Sequence, residues 1–192
     1  MASGAAAYPV TFDVDYPERL SRWKIFFKWL LAFPHFIVLY LLGIVQSLIT
    51  FAAWFIILIT GQYPRGLFDF VVGIMRWQAN VNAYVMLLRD DYPPFSMDEG
   101  RYAVTLRVEH PERLSRLLIF VKWLLIIPHL IVLCLVGVAY LVTLIIAWFA
   151  ILFTARYPEG LFRFAVGVFR WSTRINVYYY LLTDQYPPFS LK

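Results

Sequence analysis

Cysteine is almost absent. Cys134 stands alone among 192 residues, so no disulfide can close within the chain and no paired redox motif exists. Cys-x-x-Cys and His-Glu-x-x-His spacings are missing, as are a glycine-rich phosphate loop and a nucleophile elbow, and no carboxylate pair stands beside a base. An enzyme is not expected, nor a cofactor. Charge is scarce as well: 15% of residues are charged, against 61% hydrophobic and 19% aromatic, where a soluble domain averages about 45–50% apolar. Between Ile25 and Ile59 the only acidic or basic side chains are Lys28 and His35, and between Leu117 and Phe153 only Lys122 and His129. Met1 to Val14 has no apolar core behind a cationic start, so no cleavable signal is expected. The excess of five positive charges suits anionic lipid better than nucleic acid, for which there is no motif.

What the chain has is itself, twice. Residues 8–98 align with residues 102–192 at a constant offset of 94, without insertion or deletion. About half of the aligned positions are identical, which marks a repeat architecture. Pro17-Glu18-Arg19-Leu20-Ser21-Arg22 recurs as Pro111-Glu112-Arg113-Leu114-Ser115-Arg116, and Lys28-Trp29-Leu30-Leu31 as Lys122-Trp123-Leu124-Leu125. Tyr92-Pro93-Pro94-Phe95-Ser96 recurs as Tyr186-Pro187-Pro188-Phe189-Ser190.

Each copy holds an apolar run of about 35 residues, roughly 52 Å as helix against roughly 30 Å of hydrocarbon. One straight span is too long. Pro34 disfavours helix at Phe33 and suits the first turn of a new one. The expected division is an oblique basic and aromatic helix over residues 18–32, carrying Arg19, Arg22, Lys24 and Lys28 among Trp23, Phe26, Phe27 and Trp29, followed by a transmembrane helix over residues 35–60. The alternative is a hairpin that re-enters one leaflet by turning near Gly43 to Ser47, although the aligned Gly137 to Leu141 offers poor turn chemistry. A third helix is expected over residues 67–88 and 161–182, since a strand there would leave bare backbone groups in lipid. Val10 to Asp15 and Val104 to Glu109 alternate at period two and read as short strands.

Most of the 17 Lys and Arg fall outside the loops at Arg65 and Arg156. A returning third helix would put 11 of them on one side, with Arg76, Arg163, Arg170 and Arg174 inside the third helices and both termini and the linker in the cytoplasm. The expected fold is an all-α integral membrane protein of two tandem parallel repeats, each with an oblique helix, a transmembrane helix and a returning third helix, plus short cytoplasmic strands.

The recurring Pro-Glu-Arg-Leu-Ser-Arg, Lys-Trp-Leu-Leu, Pro-His, Tyr-Pro-x-Gly-Leu-Phe, Arg-Trp and Asp-x-Tyr-Pro-Pro-Phe-Ser motifs stand in the first copy at Pro17 to Arg22, Lys28 to Leu31, Pro34-His35, Tyr63 to Phe68, Arg76-Trp77 and Asp90 to Ser96. With them the chain resembles, over nearly its whole length and in two tandem domains, the bacterial membrane family called domain of unknown function 4389. The resemblance implies a multi-pass protein of the bacterial plasma membrane. It implies no activity and no ligand.

Candidate chemistry rests on the polar residues that a membrane makes expensive. Arg76, Asn80, Arg170 and Arg174 in the third helices, with Lys28 and Lys122, form a candidate site for an anionic lipid, whose phosphate a guanidinium binds bidentately. The other reading has these arginines snorkelling or tying helices together. His35 and His129, each behind a proline, would supply half a metal site if the repeats brought them together; otherwise they are interface histidines bonded to backbone. Two functions follow: a non-catalytic module that binds anionic lipid or a membrane partner, whether another protein or a second copy, and a small transporter along the repeat interface.

Overall fold

A computed structural model describes residues 8–192; residues 1–7, half of the segment read for a signal, lie outside the described residues. The elements are β1 (Val10–Val14), α1 (Lys24–Leu31), α2 (Phe33–Thr60), α3 (Arg65–Val85), β2 (Val104–Val108), a 3-10 turn (Leu118–Phe120), α4 (Lys122–Leu125), α5 (Ile127–Thr154) and α6 (Glu159–Tyr179).

The expected break is present and falls at Ala32. Its N–H still bonds the Lys28 carbonyl at 2.9 Å, after which Pro34 occupies the first turn of α2, where a missing N–H costs nothing. The residues before Lys24 stay outside the helix. α2 and α5 each run 28 residues, about 42 Å. Both pass unbroken through Gly43 to Ser47 and Gly137 to Leu141, so the re-entrant turn is not formed. The third elements are helices, and Val177-Tyr178-Tyr179, despite its strand composition, closes α6.

β1 and β2 pair antiparallel with Phe12 opposite Leu106. Those two residues are equivalent under the 94-residue offset, so a pseudo-twofold axis passes between them, perpendicular to the strands. Val10, Phe12, Val14, Val104 and Leu106 point inward, while Thr11, Asp13, Thr105 and Arg107 are exposed. Each strand lies on the third helix of the other copy. β1 runs antiparallel to α6, with Tyr8 beside Arg174, Phe12 at Arg170 and Tyr16 on Phe162. β2 runs antiparallel to α3, with Tyr102 at Asp91, Leu106 at Arg76 and His110 on Phe68.

The expectation that equivalent helices of the two copies run parallel to one another therefore fails. Antiparallel strands, each antiparallel to its own helix, make α3 and α6 antiparallel. The short links after α2 and α5 fold each long helix back along its successor, with His35 against Trp77 and His129 against Trp171, so α2 and α5 are antiparallel too.

The expected separation of the basic segments from the Arg65 and Arg156 loops also fails. The Leu20 N–H bonds the Ala155 carbonyl at 2.9 Å and the Leu114 N–H bonds the Gly61 carbonyl at 2.8 Å. A hydrocarbon layer roughly 30 Å thick cannot lie between groups that are hydrogen-bonded. Sequence reasoning missed both points because charge counts carry no information about which copy contributes which neighbour.

On α3, the sheet-facing Arg76 and the α2-facing Trp77, Val81 and Tyr84 lie roughly 80° to 140° apart around the helix. α2 thus packs along a flank of α3, while the face opposite the sheet carries Gln78 and the exposed Asn82, and α5 flanks α6 in the same way. α2 ends at Gly61 (φ 72°) and α5 at Ala155 (φ 56°), the same left-handed cap occupied once by the residue that tolerates it and once by one that does not. Ala155→Gly is expected to raise stability by about 1 kcal/mol and Gly61→Ala to lower it by a similar amount. Thermal unfolding of the two variants in detergent checks the opposite signs.

Candidate functional site

The residues that recur in both copies meet at the end of the third helix. The last turn of α1 carries Lys28, 1% exposed, to the C-terminal end of α3. There its ammonium contacts the Asp90 carboxylate at 2.8 Å, donates to the Arg89 carbonyl at 2.6 Å and stands 5.1 Å over the Tyr84 ring. Lys122 repeats this with Asp184 at 2.8 Å, the Thr183 carbonyl at 2.6 Å and the Tyr178 ring at 5.0 Å. The other oxygen of each carboxylate accepts a main-chain N–H, from Ser21 or Ser115. Three separate motifs are thus one interaction: the serine of Pro-Glu-Arg-Leu-Ser, the lysine of Lys-Trp and the aspartate of Asp-x-Tyr-Pro-Pro. One signal pointed here, because Asp90/Asp184 and Glu18/Glu112 are the carboxylates kept unchanged in both copies.

The histidines sit in separate aromatic cages. Trp77 Nε1 donates to His35 Nδ1 at 3.0 Å, and Phe95 stacks on the ring with centroids 3.9 Å apart. Trp171 donates to His129 Nδ1 at 3.2 Å, under Phe189 at 3.8 Å. Since Nδ1 accepts in both, the proton of the neutral ring lies on Nε2. His35 and His129 share no ring partner, their tryptophans fall in different clusters, and no group of three metal-ligating side chains occurs among the described residues.

The arginines fasten helices to strands. Arg76 donates to the Leu106 carbonyl through Nε and Nη2, each at 3.3 Å, and to the Met97 carbonyl at 2.8 Å. Arg170 donates to the Phe12 carbonyl at 2.8 Å, the Leu191 carbonyl at 3.2 Å and the Asp13 carboxylate at 3.1 Å. Arg174 donates to the Ser190 carbonyl at 3.4 Å and lies 5.5 Å over the Tyr8 ring. Its counterpart Asn80 is buried, with no donor to its Oδ1. Arg76 and Asn80 thus lie under β2, and Arg170 and Arg174 under β1. At the edge of the sheet, the hydrogen bond from Arg107 holds the Glu99 carboxyl below the usual range.

Two of the concavities lie next to the sheet and the third helices. An open groove of about 610 Å³ beside β1 has mixed charge, with Asp13, Glu159, Arg163, Arg170 and Lys192 on its walls. A small cavity of about 90 Å³ lies between α3 and α6, lined by Gln78, Asn82, Ser172, Thr173 and Asn176, with Phe12 among its walls. Sequence reasoning singled out Arg76 rather than these neutral residues, whose meeting depends on the approach of two helices from different copies.

Lys28→Ala is expected to cost about 3–5 kcal/mol by stranding Asp90. Lys28→Met combined with Asp90→Leu, which leaves no charge uncompensated, should recover most of it. Chemical or thermal unfolding of both variants in detergent measures the difference.

No curated protein and no solved structure matches the chain. A family match covers residues 22–97 and again residues 116–190, the same two copies that the 94-residue offset defines. The chain therefore belongs to the family described as Domain of unknown function (DUF4389), of which it carries two tandem copies.

Proposed function

We propose that the chain is a membrane-embedded, non-catalytic module that binds anionic lipid around its two long apolar helices. The observation that carries this is the uncovered surface of those helices. α1–α2 and α4–α5 contain the two stretches long and apolar enough to cross a membrane, and only 17% of the most apolar window of each is buried. The core helix of a soluble protein would be mostly covered. Most of the large exposed hydrophobics among the described residues lie on these segments, including Tyr40, Phe51, Leu135 and Phe153. Several hydroxyls there bond the preceding turn of their own helix: Ser47 donates to Gly43, Thr50 to Gln46, Thr60 to Ile56 and Thr154 to Ala150. No backbone rearrangement is needed to place such a surface in hydrocarbon.

The headgroup contacts fall to the exposed cations beside exposed tryptophans: Arg19, Arg22 and Lys24 with Trp23 and Trp29, and Arg113 and Arg116 near Trp123. Tryptophan favours the headgroup level, and arginine there meets lipid phosphate. Arg76, Arg170, Lys28 and Lys122 already give their N–H groups to protein oxygens, so they are assigned to structure within this reading. The transport alternative would need a polar path between the copies, and the cavity lined by Gln78, Asn82 and Asn176 holds only about 90 Å³.

Native mass spectrometry of protein purified with mixed phosphatidylglycerol and phosphatidylcholine tests the assignment. The wild type should retain the anionic lipid preferentially, and Arg19→Ala, Arg22→Ala, Arg113→Ala and Arg116→Ala together should abolish the preference. Equal retention of both lipids by the wild type would sink it.

A further inference from the structure

We infer that the protein occupies a single leaflet, with its pseudo-twofold axis along the bilayer normal, the long helices lying in the acyl region and the two-stranded sheet facing water. This rests on the membrane reading above and goes beyond it by fixing which surface meets lipid and by excluding passage across the bilayer.

The exclusion comes from the sheet. β1 and β2 run alongside the middle of α6 and α3, where Phe12 and Leu106 take hydrogen bonds from Arg170 and Arg76. The outward side chains at that level are Thr11, Asp13, Thr105 and Arg107, all exposed. Were α2 and α3 to cross the bilayer, these residues and the free edges of a two-stranded sheet would face acyl chains at mid-depth. Open sheet edges do not occur in hydrocarbon, and a charged side chain there costs at least about 2.5 kcal/mol. Turning the axis along the normal removes the conflict, because the twofold runs through the sheet and so carries it to one pole, leaving the exposed apolar flanks formed by α2 and α5 to the acyl region.

Dimensions and charge agree. A helix with its side chains is about 10–12 Å across, and one leaflet of hydrocarbon is about 15 Å deep, half of the bilayer core. One layer of helices fills one leaflet. The loops at Gln62 and Arg156, hydrogen-bonded through their neighbours Gly61 and Ala155 to Leu114 and Leu20, then lie at the same interface as Arg19, Arg22, Arg113 and Arg116. These exposed cations meet one set of headgroups, and none must be carried through the membrane. The half-exposed ring of Tyr92, whose hydroxyl bonds the Leu31 carbonyl at the α1–α2 break, and its counterpart Tyr186 at Leu125, stand at that boundary.

Single cysteines placed at Gln62, Arg156 and Thr105 in a Cys134→Ser background, each keeping the parent's thermal transition, test the arrangement with a membrane-impermeant maleimide on vesicles of both orientations. All three positions should react from the same side and none from the other. In the unmodified protein, Cys134, exposed on α5, should react only after detergent is added. Gln62 and Arg156 reacting from opposite sides would mean that the copies cross the bilayer in inverted orientation. Gln62 and Arg156 together on the side opposite Thr105 would mean that they cross in parallel. Either result overturns the single-leaflet inference and leaves the membrane reading standing. Release of the whole protein by alkaline carbonate, as a soluble dimer with its apolar faces joined, would overturn the membrane reading instead.

Discussion

An exchange of strands between the two copies sets the geometry of everything else. Neither strand has a partner within its own repeat, and a single strand on a helix would leave the backbone groups of both its edges unpaired. Pairing β1 with β2 satisfies one edge of each. The guanidinium of the third helix then reaches the carbonyl of the central residue, Arg76 to Leu106 and Arg170 to Phe12. Because each strand lies on the other copy's helix, the repeats cannot be pulled apart without uncovering both. The close approach of the chain at Gly73 to Met97 and at Gly167 to Leu191 closes the same assembly from the side, where an added Cβ would come within 3 Å of its neighbour.

The buried lysine has a comparable role at the ends of the helices. A charge taken out of water is tolerated only when it is paired and its remaining donors are used. Lys28 and Lys122 meet that condition with a carboxylate, a carbonyl and an aromatic face each. The consequence is positional: α1 is held against the end of α3, so the adjoining tryptophans and cations are turned outward. The cages around His35 and His129 secure the following turn, with the Pro-Pro segment as one wall. These polar clusters lie where three chain segments meet, and each orients an apolar surface that no protein covers.

Much was legible without the structure. The 94-residue offset marked the two domains, hydropathy marked the long helices, Pro34 marked the break to within two residues, and period-two alternation found both strands. Two expectations failed for one reason. The parallel arrangement and the opposite placement of the basic segments both assumed that each copy folds on itself, whereas Leu20 and Leu114 hydrogen-bond across copies. For the lipid-site candidates, composition identified Lys28, Arg76 and Arg170 as costly groups in an apolar setting without showing the oxygens waiting for them, because those oxygens are mostly main-chain carbonyls, which every residue possesses.

By itself, then, the sequence determined the duplication, the helical class, the length and apolarity of α2 and α5, and the family, since these follow from local pattern and identity at fixed spacing. Only the tertiary structure decided the antiparallel relation of the copies, the pairing of Lys28 with Asp90, the separation of the two histidines and the side of the molecule left apolar. Each of these depends on which distant segments pack together, and in a duplicated chain every segment has two equivalent partners to choose between. Local pattern is identical for both choices; the burial of the strands between the copies favours one.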